Sequence, residues 1–187
     1  MKRIVLALLT VALGVGLTAG VGSPAQATVQ PAAKARTGYT QVVVAPSVYQ
    51  LAQGAGIKIA PVKGAKAKPF GKTVAARFPI TGYNLENVRI RHSGGVKLSA
   101  GSKQITVRAL NVDLGRLRVS GKVSGTIGNA GRVDVFKIRE SKRPRYGLVR
   151  LTLTKIGADA LNATFGVKAF KENATFGYAS PKPFARF

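Results

Sequence analysis

The clearest structural signal in the chain is the segment RLRVSGKVS at residues 116–124. Val119 and Val123 share one parity, and basic or hydroxylated side chains stand between them. Alternation with a period of two buries one set of side chains and leaves the other in water, which is typical of an antiparallel strand. The apolar parity extends over residues 117–127. We therefore expect one long strand, with Gly121 on its inner face as a bend.

The same alternation recurs in three other segments. They are residues 74–80, 88–91 and 149–154. Residues 133–138 depart from the alternation, because the apolar parity changes between Val135 and Phe136, and this change predicts a β-bulge or an end of strand pairing. A tight turn is expected at residues 93–95, followed by a strand that returns from Val96.

Two short helices and one basic loop complete the pattern. Pro46 opens a helix that we expect to end at Gln53, and residues 157–166 carry apolar side chains at helical spacing before Gly166. Residues 61–72 are rich in lysine, proline and glycine, which predicts a surface loop. The fold class is therefore mainly β: an antiparallel β-sandwich or curved half-barrel of about eight to ten strands with two short helices.

The N-terminus has the organisation of a secretory signal peptide. A basic start precedes a long apolar run, and Ala25-Gln26-Ala27 has the small-x-small form of a cleavage site. We therefore expect a signal peptide over 1–27 and a secreted or cell-envelope protein with no stable membrane span after cleavage near Ala27. Residues 28–38 are expected to form a flexible leader, 39–180 one β-rich domain and 181–187 an extended tail.

Composition excludes several classes of function. The chain has 187 residues, 30 Lys and Arg against 6 Asp and Glu, one His and no Cys. Thiolate metal sites, disulfides and cysteine nucleophiles are therefore absent. The six carboxylates are scattered, and no serine stands in a nucleophile-elbow pattern, so we expect no enzyme. Export makes nucleic acid an unexpected partner, although the net charge of +24 attracts other polyanions.

His92 is the one imidazole of the chain. It shares the parity of Ile90, so its ring should point to the apolar side of its strand. There it would serve either as a core histidine satisfied by a backbone carbonyl or as a group at the mouth of a pocket. A haem or metal site with a nitrogen side-chain ligand would have to use it.

Tyr49 lies within the first predicted helix. Its phenolate would be a hard ligand suited to ferric haem iron, provided that iron, positive surroundings or a hydrogen bond lowered its pKa. The alternative is an ordinary packing residue at the helix boundary.

Two basic clusters are candidates for an anion-binding surface. They comprise Lys63, Lys66, Lys68 and Lys72 in the first, and Lys137, Arg139, Lys142, Arg143, Arg145 and Arg150 in the second. Either they are solvated surface charge, or they bind an anionic polymer or haem propionates.

The order of these features resembles the HtaA-type domain of actinobacterial haemin-uptake proteins. The resemblance rests on the helix with Tyr49, residues 88–98 around His92, and a late Leu-Thr-Leu-Thr segment that leads to Gly157-Ala158. It implies an exported, mostly β domain that binds haem, with Tyr49 as iron ligand and His92 in support. The chain departs from the family at Arg91, where the family favours glycine, and by having no Trp.

Two functions follow as hypotheses. The first is a non-catalytic, exported, haem-binding module, in which the haem iron on Tyr49 is the only metal expected. The second is a cationic envelope protein that adheres to anionic cell-wall polymer and has no cofactor.

Overall fold

The computed structural model describes residues 38–84 and 86–187, so the predicted signal peptide and nearly all of the leader lie outside the described residues. The helices are α1 (Pro46–Gly54) and α2 (Lys155–Phe165). The strands are β1 (Tyr39–Val44), β2 (Lys58–Val62), β3 (Lys66–Phe70), β4 (Thr73–Asn84), β5 (Arg89–His92), β6 (Gly95–Ala100), β7 (Lys103–Asp113), β8 (Arg118–Gly125), β9 (Gly128–Glu140), β10 (Val149–Leu153) and β11 (Thr175–Lys182). The expectation of a mainly β chain with two short helices is confirmed.

Eight of these strands close into an antiparallel barrel. The ring runs β7-β5-β4-β1-β11-β10-β9-β8, and pairing of β7 with β8 completes it. Three strands lie off the ring: β6 pairs with β7, β2 pairs with β6, and β3 pairs with β4. Closure removes the free edges that an eight-strand sheet would otherwise expose.

Strand register divides the barrel wall into an inner and an outer face. Ala67, Ala76, Val42, Ala179 and Val149 are successive cross-strand partners, and all five line the interior. Side chains alternate between faces along a strand, so the adjacent row must point outward. That outer row consists of Lys68, Ala75, Val43, Tyr178 and Arg150.

The predicted bulge in β9 is confirmed, and it positions α2. Phe136 pairs with Val119 and Asp134 with Ser120, which leaves Val135 as the extra residue. The Val135 carbonyl accepts the backbone N–H of Thr154 at 3.1 Å. Thr154 is the N-cap of α2, and its Oγ1 accepts from the Gly157 N–H at 3.0 Å and donates to the Asp134 carbonyl at 2.7 Å.

Helix α2 packs closely against the barrel at its first turn. A Cβ at Gly157 would lie 2.6 Å from the Val135 carbonyl oxygen, so any other residue there would push the helix away. The helix ends at Gly166, whose φ of 69° is left-handed. The stop at Gly166 is as predicted, and the start is two residues earlier than expected, because Thr154 supplies the cap.

Helix α1 is attached to the barrel through its first turn. Pro46 occupies the first helical position after Ala45, where its missing N–H costs nothing. The Ala45 N–H donates to the Phe176 carbonyl at 2.9 Å, and Thr73 Oγ1 donates to the Val44 carbonyl at 2.9 Å. These bonds link the start of α1 to β11 and β4.

The expected reversal at residues 93–95 is wrong. Strands β5 and β6 both pair antiparallel with β7, so they run in the same direction. Gly94, with φ of 77°, is a kink between two collinear strands. The Cβ of a residue at Gly94 would lie 2.6 Å from the Ala65 backbone nitrogen, so the β2–β3 connection packs directly on this kink.

The predicted basic loop at residues 61–72 is also corrected, since it contains the end of β2 and all of β3. Lysine and proline are typical of an exposed edge strand, and for that reason they resemble loop composition. The long strand is shorter than expected: β8 ends at Gly125, while Leu117 and Ile127 are about half exposed. At the C-terminus β11 reaches Lys182, and the Phe187 ring lies 6.1 Å from that of Tyr39.

We expect Thr154→Ala to destabilise the fold by about 1–2 kcal/mol, because it removes the cap of α2 and a buried hydrogen bond to β9. Urea unfolding measures the change. Ser47→Ala, at an exposed position in the first turn of α1, is the matched control and should stay within about 0.5 kcal/mol of the parent. Equal destabilisation by both substitutions would contradict the role assigned to Thr154.

Candidate functional site

The barrel interior contains an apolar cavity of about 120 Å³. Its wall is made almost wholly of valine, alanine, isoleucine, leucine and phenylalanine side chains, most of them from the ring strands and others from β2, β3 and β6. Thr40 and His92 are the two residues with polar side chains among those that line it. About half of the lining residues are alanine or valine, so the interior is not filled by side chains.

His92 points into this cavity, as its parity with Ile90 predicts. The side chain is buried, and Nε2 lies 2.7 Å from Thr40 Oγ1 in a hydrogen bond. Nδ1 has no hydrogen-bond partner among the described residues. Burial lowers the pKa of His92 from 6.5 to about 4, although the nearby backbone of Leu110 opposes the shift. The ring is therefore neutral at pH 7.

Tyr49 lies on α1, outside the wall of this cavity. Its side chain is half-buried and packs against the main hydrophobic cluster, to which Tyr178 belongs and against which Tyr146 also packs. The helix contacts β4, β11 and β2. Tyr49 is thus near the end of the barrel where β1 finishes.

The structure does not bring His92 and Tyr49 together. His92 is bonded to Thr40 near the start of β1, whereas α1 follows Val44 at the end of that strand. Thr40 and Val44 are four strand positions apart, which corresponds to about 13 Å. The expectation that His92 supports a phenolate at Tyr49 therefore has no basis in this geometry. Tyr49 as an iron ligand stays a prediction.

The two basic clusters come close together. The Phe70 ring, between Lys68 and Lys72 in sequence, lies 6.0 Å from that of Tyr146, which follows Arg145. Tyr146 in turn lies 5.5 Å from Tyr178 on the outer face of β11. Three aromatic rings therefore connect the β3–β4 hairpin to the β9–β10 connection, on the outside of the barrel.

Most of the predicted basic residues are exposed and carry no ion pair in the described part of the chain. The exception is Lys137, whose Nζ lies 2.5 Å from Glu172 and 2.8 Å from Asn173 Oδ1. Of the other nine, Arg150 is half-buried, and the eight exposed residues are Lys63, Lys66, Lys68, Lys72, Arg139, Lys142, Arg143 and Arg145. Lys66 Nζ lies 4.6 Å from the centre of the Phe187 ring.

Arg150, which the sequence places in the second basic cluster, extends this surface. It is the cross-strand partner of both Tyr178 and Arg139, so its side chain lies on the outer face between them. Its Nε is buried without a partner among the described residues. The alternation of Arg150 with Leu151 was the signal, since it already placed the arginine on the polar face.

Neither a metal cluster nor a membrane-spanning helix is found among residues 38–84 and 86–187. No group of three or more His, Asp or Glu side chains is placed to hold a metal ion. None of the helices there is long and apolar enough to cross a bilayer.

The buried neutral state of His92 makes stability depend on pH. The unfolded ring, with a pKa near 6.5, binds a proton that the folded ring does not bind until about pH 4. The contribution of the neutral His92 ring to the free energy of unfolding is complete above pH 6.5. It is lost as the pH falls from 6.5 to 4, and the total loss is about 3 kcal/mol. We expect this loss in urea unfolding of the parent and expect His92→Gln to reduce the slope. If the free energies of unfolding of the parent and of His92→Gln fell in parallel over that pH range, His92 would not be the source of the pH dependence.

Comparison with known proteins gives fold relatives only. No family model matches the chain, and no curated protein matches it. Among solved structures, the heme-binding protein HtaB from Corynebacterium glutamicum superposes with a TM-score of 0.56 at 12% identity, over 79% of this chain and 94% of that one. The C-terminal domain of HtaA from the same organism gives 0.50 at 12% identity, over 75% and 93%. The resemblance to HtaA-type domains expected from sequence is thus confirmed as a distant one, at the level of the fold.

Proposed function

We propose that this chain is an exported, non-catalytic binding module that takes haem at α1, with Tyr49 as the ligand of ferric iron. The observation that carries the proposal is the position of Tyr49: a half-buried phenol on a helix that packs against the main hydrophobic cluster, in a fold shared with a heme-binding protein. The proposal extends the fold resemblance to chemistry and includes secretion to the cell envelope.

The residues around α1 fit the demands of haem. A porphyrin needs an apolar surface, an iron ligand and cations for two propionates. Tyr146 and Tyr178 belong to the same packed region as Tyr49, and Arg150 lies beside Tyr178 with an unpartnered Nε. Bound haem would supply an iron(III) centre, and the phenol of Tyr49 would have to lose its proton to ligate it.

The internal cavity is too small to be the haem site. Pockets for drug-sized ligands have volumes of about 300–1,000 Å³, whereas the barrel interior offers about 120 Å³. This difference favours the outside of the barrel, next to Tyr49. It also removes His92 from the proposed haem site, because His92 lines the interior.

Haemin titration of the purified protein tests the proposal. We expect a saturable visible-region spectrum typical of ferric iron bound to tyrosinate. Tyr49→Phe should abolish that spectrum and weaken binding at least roughly tenfold, since loss of groups that merely support a ligand already costs about 10–100-fold.

Tyr83→Phe provides the matched control. Tyr83 is ten positions beyond Thr73 along β4, or about 33 Å from the start of α1. Its substitution should leave the titration unchanged, and so should His92→Gln. A tyrosinate spectrum that survives Tyr49→Phe would refute the assignment of the ligand, and failure of the parent to bind haemin would refute the function.

A second function is supported by the unpaired cations on the outer face. Arg150 and Arg139 are cross-strand partners, and Lys68 lies in the same outward row four strands from Arg150. No acidic side chain of the described residues forms an ion pair with any of the three. Such a surface would attract anionic cell-wall polymer through charge alone, and rising salt would release it.

Retention on a polyanion matrix shows whether the polymer binds one localised surface or responds only to the net charge of the protein. The triple variant Lys68→Gln/Lys72→Gln/Arg145→Gln should elute at clearly lower salt than the parent. The control triple Lys122→Gln/Lys168→Gln/Lys171→Gln removes the same charge from other exposed positions and should shift elution less. Identical shifts for both triples would show that only net charge matters.

A further inference from the structure

We infer that the barrel interior is a second binding site, which takes a small apolar molecule with one hydrogen-bond acceptor and holds that acceptor at Nδ1 of His92. The site is separate from the proposed haem site, because Tyr49 is not part of the cavity wall.

The size and lining of the cavity match a ligand of about six heavy atoms. An engineered apolar cavity of about 150 Å³ in another protein stays dry and binds benzene. The interior here, at about 120 Å³, is of the same order and is similarly apolar. A water molecule needs two to four polar partners, and this wall presents polar side chains at Thr40 and His92 alone. Thr40 Oγ1 and His92 Nε2 are already bonded to each other, so Nδ1 is the one side-chain polar atom left for a water. Water is therefore a poor occupant.

The hydrogen bonds around His92 assign a donor to the cavity. A neutral imidazole carries its proton on one ring nitrogen and accepts at the other. We assign the Thr40 hydroxyl as the donor to Nε2, which places the ring N–H on Nδ1. Nδ1 is buried and has no hydrogen-bond partner among the described residues. A ketone, aldehyde or ether oxygen in the cavity would accept this proton.

A route into the cavity lies between β2 and β3. These strands are joined by residues 63–65, yet β2 pairs only with β6 and β3 only with β4. The sheet therefore has a slot between two edge strands. Ala60, Pro61 and Ala67 are exposed on this slot and also line the cavity. The slot is closed at one end where Gly64 meets Gly94, two residues after His92.

Two probes of the same shape test the inference. Cyclopentanone and methylenecyclopentane each have six heavy atoms, and they differ in carrying an oxygen or a CH₂ group at one position. Because the chain has a single histidine, the ring ¹⁵N resonances of the histidine-labelled protein report on His92 without ambiguity. We expect both probes to shift the backbone resonances of the cavity wall, and only the ketone to shift Nδ1 as a new hydrogen bond forms. Measurements at pH 7 keep the ring neutral.

Variants separate the role of the cavity from that of the imidazole. Ala76→Phe fills the interior from β4 and should abolish binding of both probes, whereas Ala169→Phe makes the same change at an exposed loop and should not. His92→Leu should weaken ketone binding by about tenfold and change hydrocarbon binding by no more than about two- or threefold. The ketone loses more because only its binding includes the hydrogen bond to Nδ1.

The outcomes decide each part of the inference. If neither probe shifts the cavity wall of the folded parent up to millimolar concentration, the interior is not a ligand site. If His92→Leu weakens both probes equally, the site is apolar only and the role of the acceptor is refuted. None of these measurements involves haemin, so the result is independent of whether Tyr49 binds iron.

Discussion

Closure of the sheet through β7 is the constraint on which the other features of this molecule depend. One edge of β7 pairs with β8, and the other edge pairs with β6 and then with β5 beyond the kink at Gly94. Through these contacts the ends of an eight-strand sheet meet, and every inner side chain faces another inner side chain across the barrel.

Several of the inner residues are no larger than alanine or valine, as in the row from Ala67 to Val149. A barrel of this size with small inner residues retains space at its centre. The gap between β2 and β3 is a consequence of the same arrangement, because β5 joins β4 to β7 over only part of their length.

The alternation that makes the interior apolar also makes the exterior cationic. Lys68, Arg150 and Arg139 occupy the strand positions next to Ala67, Val149 and Ile138, so each pair of neighbours supplies one residue to each face. With only six carboxylates in the chain, four of which form the ion pairs seen in the described residues, most of the outward cations keep no acidic partner. They are tolerated because they remain hydrated, and they concentrate positive potential around the aromatic contact of Phe70 with Tyr146.

Properties set by neighbours in sequence were predictable, and properties set by distant pairing were not. The parity of Ile90 and His92, the bulge at Val135 and the stop at Gly166 each follow from a few consecutive residues, and each is confirmed. The direction of β6 depends on its pairing with β7, which a glycine-rich stretch at residues 93–95 does not reveal. The sequence of the edge strand β3 resembles that of a loop, because exposed edge strands and loops favour the same residue types. The distance between His92 and Tyr49 depends on the length of β1. An imidazole and a phenol have compatible chemistry, but their residue types alone do not show whether the two side chains lie close together.

This separation along β1 has a thermodynamic consequence. Coupling between two ligands requires an element whose conformation both of them bias. Thr40, near the start of β1, contacts His92, and the end of the strand leads into α1 and Tyr49. Yet β1 is paired along its whole length with β11 and along most of it with β4, and Val43 near its end is completely buried. Moving such a strand would break ladders on both sides, which a ligand of six heavy atoms has too little binding energy to do. The interior and the surface near α1 should therefore act as independent sites, although a single strand connects them.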